Sequence, residues 1–136
     1  MDYAHTEDAL KNVLESIREI SEGKIILVFG CGGDRDKGKR PLMGKVAGEL
    51  ADHVTITNDN PRTEDPDKII QQIISGFSST NYQVISERGA AIQAALQSAQ
   101  KNDVVLIAGK GHEDYQIFKD QVVPFSDRES IKDYLK

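Results

Sequence analysis

Two short runs in this chain, residues 24–29 and 103–108, are apolar at every position after the first. A strand with one wet face alternates polar and apolar residues. A continuous apolar run has to be covered on both faces, which calls for a parallel sheet between two helical layers. The segments between the runs fit that demand. Residues 7–21 place Leu10, Val13, Leu14, Ile17 and Ile20 on one helical face, with Thr6 as N-cap and Glu7 and Asp8 on the positive end of the dipole. A helix over 41–51 opens at Pro41 and turns Leu42, Val46 and Leu50 inward.

Further strands are expected at 53–57 and 82–85. Helices are expected at 65–77, with inward Ile69, Ile70, Ile73 and Ile74, and at 87–100, with inward Ala91, Ile92, Ala95 and Leu96. Residues 115–118 and 122–125 read as a hairpin across 119–121, and Ser126 with Glu129 forms a capping box for a last helix. The expected architecture is one three-layer, Rossmann-like α/β domain with a mostly parallel sheet plus a C-terminal hairpin.

The turn after the first apolar run, Gly30-Cys31-Gly32-Gly33-Asp34-Arg35-Asp36-Lys37-Gly38-Lys39-Arg40, lies where α/β proteins hold anions. From Gly33 to Lys39 it keeps the spacing of a P-loop, but Arg40 stands where that motif needs Ser or Thr. A guanidinium has no lone pair for Mg²⁺, so nucleotide binding of that kind is excluded here. A dinucleotide fingerprint fails as well, because Arg35 replaces its third glycine.

The formal net charge of −5 argues against a nucleic-acid partner. Positive charge is local instead, in Arg35, Lys37, Lys39, Arg40 and Lys45, which suits a small anionic ligand. A single cysteine, Cys31, permits no internal disulfide and no metal-ligand spacing, and it reads as a small packing residue rather than a nucleophile. No apolar stretch reaches a membrane span and the first residues are too polar for a signal peptide, so a cytoplasmic protein without a membrane partner is expected.

Three expected strands end in polar loops, at 30–40, 58–62 and 109–113, and parallel strands bring such loops to one edge. Together they supply Arg35 and Arg62 as cations, Asn60 as a two-way hydrogen bonder, and Asp59 and Glu113 as anions. That is the inventory for a zwitterion with carboxylates and amino groups. The residues alone leave other readings open. Arg35 can pair with Asp34 or Asp36 in solvent, Arg62 can be a surface arginine, Asn60 can serve only the turn at Pro61, and Glu113 and His112 can be exposed hairpin residues.

The same residues carry a resemblance. Asp2-Tyr3-Ala4-His5-Thr6, Gly30-Cys31-Gly32-Gly33-Asp34-Arg35-Asp36, Asp59-Asn60-Pro61-Arg62 and Gly109-Lys110-Gly111-His112-Glu113-Asp114-Tyr115 follow the order and spacing of the Mur ligases. The chain resembles the carboxy-terminal domain of that family over essentially its whole length. Its Asp-Asn-Pro-Arg resembles the signature of members that add meso-diaminopimelate to a UDP-muramoyl dipeptide in peptidoglycan synthesis. The resemblance implies that Arg35, Asn60 and Arg62 hold diaminopimelate carboxylates, that Asp59 supports the loop, and that Gly109 and Glu113 take the distal ammonium. It implies that Asp2 and His5 contact ATP, within a hinge remnant at 1–6 that precedes the domain at 7–136. It assigns no catalytic residue and no metal ligand to this chain. ATP and Mg²⁺ are expected mainly on central and N-terminal domains of the same enzyme, so the chain reads as an excised domain without activity alone. One departure is Glu7, where the family usually has proline, and glutamate serves equally in a first helical turn. A stand-alone binding module for an amino acid or dicarboxylate is the alternative; a receiver-like domain lacks the required acidic cluster and lysine.

Overall fold

A computed structural model of the chain describes residues 7–33, 38–108, 115–118 and 121–124. The element order is α1 (Glu7–Ile20), β1 (Ile25–Phe29), α2 (Lys39–Leu50), β2 (His53–Ile56), α3 (Pro66–Ile74), β3 (Tyr82–Val84), α4 (Arg88–Ser98), β4 (Val104–Ile107), β5 (Tyr115–Phe118) and β6 (Gln121–Pro124). Four strands form a parallel sheet in the order β3-β2-β1-β4. The fifth and sixth pair antiparallel with Ile117 opposite Val122, the expected hairpin. Its expected second strand is shifted by one residue. The Thr6 cap, the Ser126 box and the last helix lie outside the described residues.

Both apolar runs are strands; β1 is covered on two sides along its whole length, while β4, at the sheet edge, is buried at Leu106 and Ile107 and only partly at Val104 and Val105. Ile25, Leu27 and Phe29 of β1 join one core with Leu10, Leu14, Met43, Ile69 and Ile73, beneath α1, α2 and α3. Ile26 and Val28 face the other way and join Ala91, Ile92, Ala95 and Ile107 beneath α4. All five side chains of β1 are buried, and each large apolar one contributes about 2 kcal/mol by leaving water. Three layers follow from that double coverage.

Two expected faces differ from the observed ones. Ile20, the last residue of α1, is 84% exposed, and the buried residues of that helix are Leu10 and Leu14. In α2 the inward face is Arg40, Met43, Gly44 and Ala47, while Leu42 is 48% exposed and Val46 and Leu50 are only half-buried. The reason is a backbone-on-backbone contact with α3. A Cβ at Gly44 would lie 2.1 Å from the Ile73 carbonyl oxygen, and one at Gly76 would lie 1.8 Å from that of Pro41. Small residues therefore face the partner helix, and the larger apolar ones flank it. The helix also begins at Lys39, so Pro41 sits inside the first turn, where a missing N–H costs no intrahelical bond.

Asp52, in the turn between α2 and β2, ties three elements together. Its carboxylate accepts from the Ile25 amide at 2.7 Å and from Arg18 Nη2 at 3.0 Å, and Arg18 also donates to the Leu50 carbonyl at the end of α2. Partial desolvation pushes the Asp52 pKa up, but the Ile25 amide and Arg18 outweigh it and hold it below the ordinary 3.8. A depressed carboxylate stabilises the fold above its unfolded pKa and loses that contribution as pH falls through the folded value. Asp52→Asn is expected to lower the unfolding free energy at pH 7 by about 1 kcal/mol. Urea denaturation should show the difference from the parent shrinking as pH drops below 3.8; an undiminished gap at acid pH would contradict this account.

Candidate functional site

Because β1, β2 and β4 run parallel, the segments that follow them emerge along one edge of the sheet. The order β3-β2-β1-β4 reverses direction between β1 and β4, the place where open α/β sheets take ligands. Among the described residues, four segments reach that edge: 30–33 after β1, 57–65 after β2, 85–87 after β3, and Ala108 after β4.

The first two segments touch through their backbones. A Cβ on Gly30 would lie 2.2 Å from the Thr57 carbonyl oxygen, and a Cβ on Gly33 would lie 1.7 Å from that of Pro61. No other residue type permits that approach without displacing one strand-end loop. Gly33 then bonds across the contact in both directions. Its amide donates to the Asn60 carbonyl at 2.6 Å, and its carbonyl accepts from Arg62 Nη1 at 2.9 Å. Arg62 Nη1 also lies 3.4 Å from the Asn60 carbonyl.

Arg62 makes these bonds from a left-handed backbone, φ 54°. For a long side chain that conformation costs about 1–2 kcal/mol, the kind of strain found where surrounding contacts dictate a side chain's position. Asp59 and Asn60 are buried, at 5% and 3% exposure. Arg62 is half-buried and is the cation that this loop, 57–65, presents. Among the described residues, only its Nη1 meets a partner, which leaves the Nε and Nη2 edge for a carboxylate fork.

Two further arginines are more deeply placed. Arg40, 1% exposed, pairs with Glu64 through Nη2 at 2.6 Å and Nη1 at 3.1 Å. It also donates to Gln72 Oε1 at 2.7 Å and to the Gly32 carbonyl at 2.9 Å. Arg88, also 1% exposed, opens α4 and donates to the Asn58 carbonyl at 3.1 Å and the Ala108 carbonyl at 3.3 Å. Glu87 caps the same helix by accepting from the amides of Gly89 and Ala90.

Of the expected ligand residues, the structure brings Asp59, Asn60 and Arg62 together against the glycine turn. Arg35, Gly109, Glu113, Asp2 and His5 lie outside the described residues. Arg40, counted above among the local positive charges, is corrected: it is internal and paired, not a cation offered to an anion. Arg88 carries no motif and drew no notice in the sequence. The available signal was shared by both: Arg40-Met43-Gly44-Ala47 and Arg88-Ala91-Ile92-Ala95 each put an arginine first on an inward i, i+3, i+4, i+7 face.

A separate groove of about 500 Å³ lies at the opposite edge, where Lys24, His53, Tyr82 and Asp103 mark the amino ends of the strands. It is remote from these loops and forms no part of the site.

Cys31 is half-buried, with its Sγ 3.7 Å from Met43 Sδ. Desolvation pushes its thiol up to about 12, Arg40 opposes the rise, and Asp59 adds to it. A thiol in that state is not a nucleophile at neutral pH. Alkylation by iodoacetamide at pH 8 is expected to run at least about 100-fold slower in the folded chain than in urea. Equal rates, followed by mass spectrometry, would place the thiolate in solvent instead.

The sequence model described as "Mur ligase, glutamate ligase domain" matches residues 1–111. The UDP-N-acetylmuramoyl-L-alanyl-D-glutamate–2,6-diaminopimelate ligase of Caldanaerobacter subterraneus is 56% identical over 99% of this chain and 28% of its own length. Its Vibrio vulnificus namesake is 52% identical over 99% of the chain and 28% of its own length. A solved structure of a ligase of that name superposes with TM-score 0.92 at 43% identity, over 98% of this chain and 28% of the other. A bifunctional folylpolyglutamate synthase/dihydrofolate synthase from Yersinia pestis, solved with AMPPNP and manganese, shares the fold, with TM-score 0.63 at 23% identity over 80% of this chain and 25% of that one. The chain spans a little over a quarter of the length of the relatives it matches.

Proposed function

The chain belongs to the Mur ligase family through its glutamate ligase domain, and from that premise we propose that it captures meso-diaminopimelate for an ATP-dependent, amide-forming ligase. The acceptor would be UDP-N-acetylmuramoyl-L-alanyl-D-glutamate, the compound named in the relatives' activity. The observation that carries this reading is the knot of Gly33, Asn60 and Arg62 at the carboxyl edge of the sheet. It fixes one guanidinium with an open fork where an amino acid would enter.

In this reading Arg62, with Arg35 and Asn60, holds the carboxylates of the incoming amino acid. Gly109, through its carbonyl, and Glu113 take its distal ammonium, and Asp59 supports the loop from within. Residues 1–6 act as the hinge, with Asp2 and His5 toward ATP, and residues 7–136 form the domain. The γ-carboxylate of the acceptor's D-glutamate is first activated as an acyl phosphate. The amine nitrogen then bonds to that carbon, the carbon–phosphate oxygen bond breaks, phosphate leaves, and the amine gives up a proton. The chain's part is to present the amine in line, which is worth up to several kcal/mol when the geometry is tight.

Mg²⁺ and the β/γ-phosphates do not fit the glycine turn. The side chain where a P-loop hydroxyl would stand is Arg40, internal and bound to Glu64 and Gln72. We assign phosphoryl transfer to the domains that the longer relatives have beyond the matched segment, and expect no ATP turnover by this chain alone.

Calorimetric titration of the chain with meso-diaminopimelate and with L-lysine tests the substrate. The second carboxylate of diaminopimelate should give the tighter complex, and Arg62→Gly should weaken it at least about tenfold. Glycine adopts φ 54° without strain, so the variant's unfolding free energy should stay within about 1 kcal/mol of the parent. Equal affinity for lysine, or an unaffected glycine variant, would overturn the assignment.

A further inference from the structure

Burying a guanidinium is unfavourable unless every face of it is used, and an apolar side chain would fill the same space at lower cost. Arg40 and Arg88 are both 1% exposed. Arg40 bears the added cost of an Nε without a partner among the described residues, its other donors going to Gln72 on α3 and to the loops of the site, while Arg88 donates to two loop carbonyls. Arg40 reaches from α2 to the Gly32 carbonyl in the first loop and to Glu64 in the second. Arg88 reaches from α4 to the Asn58 carbonyl in the second loop and to the Ala108 carbonyl, one residue before Gly109.

The two helices lie on opposite faces of the sheet, each on its own core. The second loop, which carries Asn60 and Arg62, is therefore gripped from both faces, and each grip also holds one of the neighbouring loops. A planar group with donors in fixed directions sets distances between the oxygens it joins, which neither lysine nor methionine reproduces.

We infer that Arg40 and Arg88 are positioning residues for amino-acid capture: paired internal braces that set the spacing of the backbone at Gly32, at 58–64 and at Ala108 without touching the ligand. The inference rests on the proposed function, since it assumes that these loops bind the amino acid. Neither residue acts on ATP in this scheme. Their loss should therefore appear in the amino-acid KM and leave the nucleotide KM alone, a split that simple destabilisation does not give.

The test uses a complete ligase in which this chain replaces the matching segment of the Caldanaerobacter relative, assayed with meso-diaminopimelate, L-lysine and L-glutamate. In Arg88→Lys the charge stays but one of the two carbonyls is lost. The KM of the accepted amino acid should rise about 10- to 100-fold, with the ATP KM changed less than about twofold. Arg88→Met should be worse than Arg88→Lys. Arg40→Met leaves Glu64 without its guanidinium and is expected to melt early. The charge-compensated Arg40→Met/Glu64→Gln pair should regain the melting temperature and keep the raised amino-acid KM. Amino-acid KM values at the parental level in both Arg88→Lys and the compensated pair would overturn the inference, as would amino-acid and ATP KM values that rise together with falling melting temperature. A parental chimera that uses lysine or glutamate but not diaminopimelate would overturn the substrate assignment and leave the braces testable on that amino acid. A chimera that uses no amino acid would overturn both.

Discussion

Gly33 lies so close to the Pro61 carbonyl that a methyl group would not fit between them, and its amide and carbonyl both bond across that gap. This backbone contact joins the loop after β1 to the loop after β2 without any side chain of its own. Arg62 can accept a left-handed backbone because the contact supplies a fixed carbonyl for its guanidinium. The buried positions of Asp59 and Asn60 follow from the same closure, since a loop pressed against its neighbour has little surface left. Hydrogen bonds to backbone atoms have a further consequence: main-chain geometry sets the shape of this corner.

The helical layers extend that logic outward. Glycines at 44 and 76 let α2 and α3 approach until backbone meets backbone. That approach brings Gln72 of α3 within reach of Arg40 on α2. On the other face α4 packs through Ala91 and Ala95, small enough to keep the helix near the sheet and its first residue, Arg88, beneath the strand ends. Packing on small residues thus places both arginines. Larger side chains at those positions would lift the helices away, and the guanidiniums would no longer span two loops.

Most of the fold was legible because two signals agree. Continuous apolar runs marked β1 and β4, and turn residues bounded them where the sheet ends. The helix start expected at 65 matches α3, where the Asp65 carboxylate caps the helix by accepting from the Asp67 amide. The inward face of α2 was not legible, since counting large apolar residues favours Leu42 while the close contact selects Gly44 and Ala47. At the site, the cluster of Asp59, Asn60 and Arg62 was legible as polar residues at a strand end. The roles of Arg40 and Arg88 were not, because their partners are mostly carbonyls and a distant glutamine or glutamate, and sequence spacing carries no trace of such partners.

The likeness of residues 33–39 to a P-loop now has a physical resolution. A phosphate cradle needs consecutive backbone amides free to point at the ligand, followed by a helix start with a hydroxyl for the metal. Here the Gly33 amide is already committed to the Asn60 carbonyl, and position 40 holds a guanidinium turned inward to Glu64. The same glycines that would open a phosphate nest instead close a loop-to-loop contact. A strand–glycine–helix turn can thus serve either anion binding by its amides or rigid support of a neighbouring arginine, and the residue opening the helix face decides between them. With arginine there, the glycine turn becomes part of the scaffold and its Gly33 carbonyl holds the Arg62 guanidinium.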